Sequence, residues 1–139
     1  MKFTNSLHLL WFGFVILFGW SNVGAQGVCV IGEKKLSKFQ GVVRQSDRQS
    51  IYAASIKLYR KNVKTKPILE VMSDANGLFE VQSLPDGKYI ASVSYPNFVR
   101  LVFPIRIARK EKLDSRKLIV VLGWRYDEPC GGGEVLFEN

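Results

Sequence analysis

With 139 residues and a formal net charge of +8, the chain is long enough for one domain with a modest core and too short for an array of domains. Its two cysteines cannot make the usual zinc ligand set if its one histidine, His8, is lost with an N-terminal leader. The basic balance points toward anionic partners and carries no information about fold.

Residues 1–25 read as a signal peptide. Lys2 gives a positive start, residues 9–20 form an apolar run, and Val23-Gly24-Ala25 offers small residues for cleavage before Gln26. The run is shorter than the ~20 apolar residues that span a membrane. An uncleaved anchor and a lipid on Cys29 are the alternatives. Gln26-Gly27-Val28 is a poor approach to a lipid-bearing cysteine, ahead of which leucine and small residues are expected. Cleavage would remove His8 and leave Trp124 as the only tryptophan.

An even cysteine count in an exported chain favours a disulfide. A Cys29–Cys130 bond would tie the two ends of the domain together; free or intermolecular thiols are the alternative.

Residues 26–38 form a mixed lead-in with Lys34, Lys35 and Lys38. Strands are expected at 39–45, 54–59, 68–73, 78–82, 88–94, 98–108 and 118–122. The second alternates, with Ala54, Ile56 and Leu58 on one face. The sixth contains Pro104, which calls for a bend or an edge position. The seventh is apolar on both faces, as a central strand would be. Asn76-Gly77 signals a hairpin, because both residues tolerate positive φ. Pro85-Asp86-Gly87 signals a second turn. Residues 125–139, with Gly131-Gly132-Gly133, are expected to leave the domain as a tail. The core should hold Val43, Ile56, Leu58, Phe79, Val81, Leu84, Tyr89, Ala91, Val93, Val120 and Leu122.

The stretch from Asp74 to Tyr89 carries a recognisable pattern. Asp74, Gly77 and Phe79, followed by Leu84, Pro85, Gly87 and Tyr89, resemble the motif of the carboxypeptidase regulatory-like domain. Phe39-Gln40-Gly41-Val42-Val43 and Ala54-Ser55-Ile56-Lys57-Leu58 resemble that family's opening strands. Ser73 stands where the family usually has threonine. The resemblance covers residues 39–124 and implies a transthyretin-like, or prealbumin-like, sandwich related to collagen-adhesin B-type repeats. With the strand pattern, the expected fold is all-β: a single seven-stranded Greek-key β-sandwich. Such domains accompany many different proteins, so the resemblance is nearly silent on function.

The chemistry is sparse. Residues 26–139 contain no histidine and no Gly-x-Ser-x-Gly elbow, so no enzyme is expected and no catalytic residue is named. No cofactor and no metal are expected. Asp74-Ala75-Asn76-Gly77 opens like a calcium loop, but Gly77 comes two positions early and Pro85 replaces the closing glutamate. A turn in which Asp74 accepts hydrogen bonds from its own backbone fits better. The intramolecular isopeptide bond of some adhesin relatives needs an Asn or Asp near a buried lysine, and residues 118–122 supply neither.

Two features could bind. Tyr95, Phe98, Trp124 and Tyr126 are candidate aromatics for stacking on sugar rings. Lys57, Arg60, Lys61, Lys64 and Lys66 form one basic group; Arg106, Arg109, Lys110, Lys112, Arg116 and Lys117 form another. The plain alternatives are that Trp124 covers an open end of the core and that the cations keep the surface solvated and the edge strands unpaired. The expected function is that of an exported, non-catalytic accessory module of the cell envelope or extracellular space. It would bind an envelope or extracellular protein or give structural support. The alternative is a carbohydrate-binding module using the aromatics and the basic patches. An acidic glycan or an anionic surface is a further partner class; nucleic acid is not expected.

Overall fold

The computed structural model describes residues 27–63, 65–109, 115–124 and 130–139. The expected signal peptide, residues 1–25, lies outside the described residues.

The described residues form ten strands in two sheets and no helix. The larger sheet has the order β1 (Val28–Val30), β8 (Arg100–Ile107), β7 (Gly87–Ser94), β4 (Ser55–Arg60), β5 (Leu69–Met72), with β2 (Lys34–Leu36) also on β8. The smaller has the order β10 (Glu134–Phe137), β9 (Leu118–Leu122), β3 (Phe39–Gln45), β6 (Leu78–Val81). Side chains alternate between the core and the outside, as the period of a strand requires. Along β8 the buried residues are Leu101, Phe103, Ile105 and Ile107. Phe39 of the small sheet meets Phe103 of the large sheet edge-on at 6.4 Å, and Phe79 at 5.2 Å. These rings join the two layers. All the residues expected in the core are buried.

The strand count differs from the expected seven. β1, β2 and β10 are additional, and all three are short. β1 and β2 run parallel to β8, one on each side of Pro104: Val30 pairs with Val102, and Lys34 with Ile105. A proline has no N–H to give a neighbouring strand. The strand beside β8 accordingly breaks opposite Pro104, and the proline sits in a continuous β8 rather than at a bend. The segment expected to trail away as a tail contributes β10, which pairs antiparallel with β9 and buries Val135. That pairing makes β9 a central strand between β10 and β3.

Both turns of the motif carry the chain from one sheet to the other. Asn76-Gly77 has the chemistry of a hairpin, since both residues tolerate positive φ, but the structure makes a different turn of it. Only Gly77 has positive φ, at 76°, and the strands on either side, β5 and β6, belong to different sheets. The Asp74 carboxylate holds the turn, accepting N–H bonds from Asn76 and Leu78, both at 2.9 Å. The turn docks on β3, where Val43 N–H donates to the Gly77 carbonyl at 2.7 Å. A Cβ on Gly77 would lie 2.4 Å from the Val43 carbonyl oxygen, so glycine is required there by space as well as by φ. Beneath the turn, the Ser73 hydroxyl is buried. It donates to the Ile51 carbonyl at 2.6 Å and accepts from Ala54 N–H at 2.9 Å. A hydroxyl is what that position needs, and serine supplies it as threonine would.

Candidate functional site

The family-like motif is structural in every residue. Asp74 and Gly77 make the first turn, and Phe79 and Leu84 are buried. Tyr89 donates its hydroxyl hydrogen to the Pro85 carbonyl at 2.6 Å across the second turn, where Gly87 takes a φ of 153°. Arg109 closes the turn from outside: its Nη2 donates to the Leu84 carbonyl at 2.8 Å, and its backbone N–H to Asp86 Oδ1 at 3.3 Å. No group of three or more potential metal ligands occurs among the described residues.

Cys29 and Cys130 are disulfide-bonded across a sequence separation of 101. The bond staples the middle of β1 to the turn before β10 at one end of the sandwich. The aromatics gather at that end too. Phe98 stacks on Trp124 with ring centroids 4.5 Å apart, and Tyr95 tilts against Phe98 at 5.9 Å. Phe98 is buried, so it is a packing residue, whereas Trp124 remains 47% exposed. Trp124 therefore has one ring face against Phe98, and much of the rest meets solvent. Tyr126 lies outside the described residues.

The basic groups converge at the other end. β4 runs toward Arg60, β7 starts there with Gly87, and β8 finishes there with Ile107. Residues from both basic groups thus become neighbours. A cleft of about 550 Å³ lies between the loop after β4 and the turn before β7. Arg60, Lys61 and Lys88 line it, with Asp86 as the one acid. Lys64, Lys110 and Lys112 lie outside the described residues. The cationic end and the aromatic end are separated by the length of the sandwich, so a ligand touching both would have to span it.

A third surface went unnoticed in the sequence. The outer face of the larger sheet is built from the side chains that alternate with the core. Its middle holds Tyr59, Ile90 and Pro104 in one cross-strand row, and Lys57, Ser92 and Val102 in the next. Around them Val28, Val30, Ile68 and Met72 are exposed. Tyr59, Ile90, Ser92, Arg100 and Val102 enclose a shallow hollow of about 310 Å³. There the Arg100 Nε is buried without a hydrogen-bond acceptor among the described residues. Buried donors are nearly always paired, so an unpaired one calls for an explanation. On this face Glu70 is already held, accepting from the Ser55 hydroxyl at 2.9 Å.

No family model matches the chain, and no curated protein matches it. A solved structure does: 5-hydroxyisourate hydrolase from Klebsiella pneumoniae, with a TM-score of 0.52 and 15% identity over 74% of this chain and 99% of that one. The fold is transthyretin-like. At that identity the likeness concerns the fold alone and assigns no activity to this chain. It does correct the expectation that the chain is no enzyme. The neighbour is a hydrolase built on the same sandwich, so neither small size nor fold class excludes catalysis.

Proposed function

We propose that the protein is an exported interaction module of the cell envelope or extracellular space, and that it holds a partner protein on the outer face of its larger sheet. The observation that carries this is Arg100, whose buried Nε lacks an acceptor within a hollow walled by Tyr59, Ile90 and Val102. An apolar centre with a planar, always-charged anchor is the composition of a protein interface core. Arginine forks onto carboxylates, so the partner is expected to present an Asp or Glu to Arg100. The disulfide is consistent with export, since such bonds persist in oxidising compartments. A photo-crosslinking side chain at Val102 tests the reading in the native host, with one at Val42 on the other sheet as control. One dominant protein adduct from Val102, lost in Arg100→Ala, supports it. Equal labelling from both positions, or none from Val102, overturns it.

A second reading rests on Trp124. Its partly exposed ring, backed by Phe98, could stack on one sugar face. Trp124→Ala should then abolish retention on a neutral polysaccharide column; unchanged retention, or none by the parent protein, removes this reading.

A further inference from the structure

The register sets four apolar side chains in one row across the outer face of the smaller sheet. Leu78 on β6 pairs with Val42 on β3, Val42 with Ile119 on β9, and Ile119 with Leu136 on β10. Leu78 and Leu136 are exposed at the ends of the row, and Val42 and Ile119 are half-buried between them. Strands ~4.8 Å apart make this a stripe about 15 Å long. A sheet face left to water is mostly polar, and apolar side chains exposed singly are ordinary. A row that crosses every strand of the sheet is neither, and contiguous patches of that kind mark interaction sites.

Charges of both signs frame the stripe. One flank is the row Arg44, Val121 and Glu134. The other holds Glu80 paired with Gln40, and Lys117 just ahead of Leu118, which pairs with Gly41. On the first flank the cation is on β3 and the acid on β10. On the second the acid is on β6 and the cation leads into β9. Arg44 and Glu134 have no ion-pair partner among the described residues, whereas Glu80 already holds Lys38.

We infer that a second copy of the chain docks on this face, in an isologous dimer whose two-fold axis runs parallel to the strands between β3 and β9. Val42 then lies over Ile119 of the copy, and Leu78 over its Leu136. Arg44 comes within one strand spacing, ~4.8 Å, of the level of the copy's Glu134, and Lys117 equally near its Glu80. The face is thus complementary to itself in charge. The outer face of the larger sheet is not. Its strands carry Lys35, Lys57, Lys88 and Arg100 there, with Glu70 as the acid among the described residues, so two copies would set like charges together. Strand spacing and rise give the small-sheet face about 300 Å² a side, well under the ~800 Å² of a standard interface, so the dimer is weak and concentration-dependent. The stripe lies on the other sheet from the Arg100 hollow. The inference therefore goes beyond the protein-binding reading, and both contacts can form at once.

Sedimentation of the exported, disulfide-bonded protein from about 1 µM to about 1 mM spans the affinities open to so small a contact. A monomer–dimer equilibrium within that range is expected. Leu136→Lys changes an exposed side chain that the axis uses twice, and should weaken the dimer about tenfold or more. Arg44→Glu and Glu134→Arg should each weaken it about fivefold or more, since each puts like charges together at both ends of the axis. Mixing these two variants should restore the parent affinity to within about threefold, because every facing pair is again opposite in sign. A merely misfolded variant is not repaired by mixing, and an unchanged melting temperature confirms that each is folded. A monomer throughout the range overturns the inference. So does a dimer indifferent to Leu136→Lys or to the reversals, or reversals that mixing fails to rescue. A photo-crosslinking side chain at Val42 should yield an adduct of two copies of this chain; capture of a different protein there also overturns it. The adduct from Val102 should be unchanged in Leu136→Lys, so failure of this face and failure of the Arg100 face give different results.

Discussion

Tyr89 reaches back four residues along the chain to donate its hydroxyl hydrogen to the Pro85 carbonyl at 2.6 Å. The bond closes the turn that carries the chain from the small sheet to the large one. The four residues of the pattern have distinct jobs there: Leu84 is core, Pro85 and Gly87 shape the turn, and Tyr89 ties it. Tyr89→Phe keeps the buried ring and removes only the bond. It should lower stability by about 0.5–1.5 kcal/mol, the usual worth of one neutral hydrogen bond. Urea denaturation measures this, and an unchanged midpoint would show that the bond does not hold the turn.

Phe79 is buried at the meeting of the two layers, edge-on to Phe39. Phe79→Ala deletes a core ring and leaves a cavity, and should cost about 3–5 kcal/mol. Calorimetry or denaturant unfolding decides it. A change below about 0.5 kcal/mol is surface behaviour and would mean that Phe79 does not face the core.

The Cys29–Cys130 bond closes a loop of 101 residues. In the chain-entropy description a loop of that length stabilises by up to about 4.7 kcal/mol. Reduction should therefore lower the melting temperature markedly. Intact mass of the exported protein should match a chain beginning at Gln26 and rise by two hydrogens on reduction. A full-length mass would contradict cleavage of the leader. No rise would contradict the bond.

Where the sequence was legible, it was because one segment carried its own signal. β3 (Phe39–Gln45) and β9 (Leu118–Leu122) lie where the apolar pattern puts them, bounded by polar or charged loops. The short strands had no such signal. β2 contains two lysines and is a strand only because it finds residues 105–107 far along the chain. β10 follows three glycines and is defined by its pairing with β9. The Asn76-Gly77 turn was visible, but its destination was not, because local turn chemistry is blind to which sheet the next strand joins. The binding surfaces were hidden for the same reason. Tyr59, Ile90 and Pro104 are scattered in sequence and become one row only through register. Arg100 looks like one cation among many until β8 turns it onto the outer face beside Tyr59 and Ile90.

The central claim is that this outer face is where a partner docks. Photo-crosslinking from Val102 in the native host tests it most directly. One dominant protein adduct is predicted, absent when Arg100 is replaced by alanine and absent from a probe at Val42. Indiscriminate labelling, no adduct, or an adduct indifferent to Arg100 would contradict it.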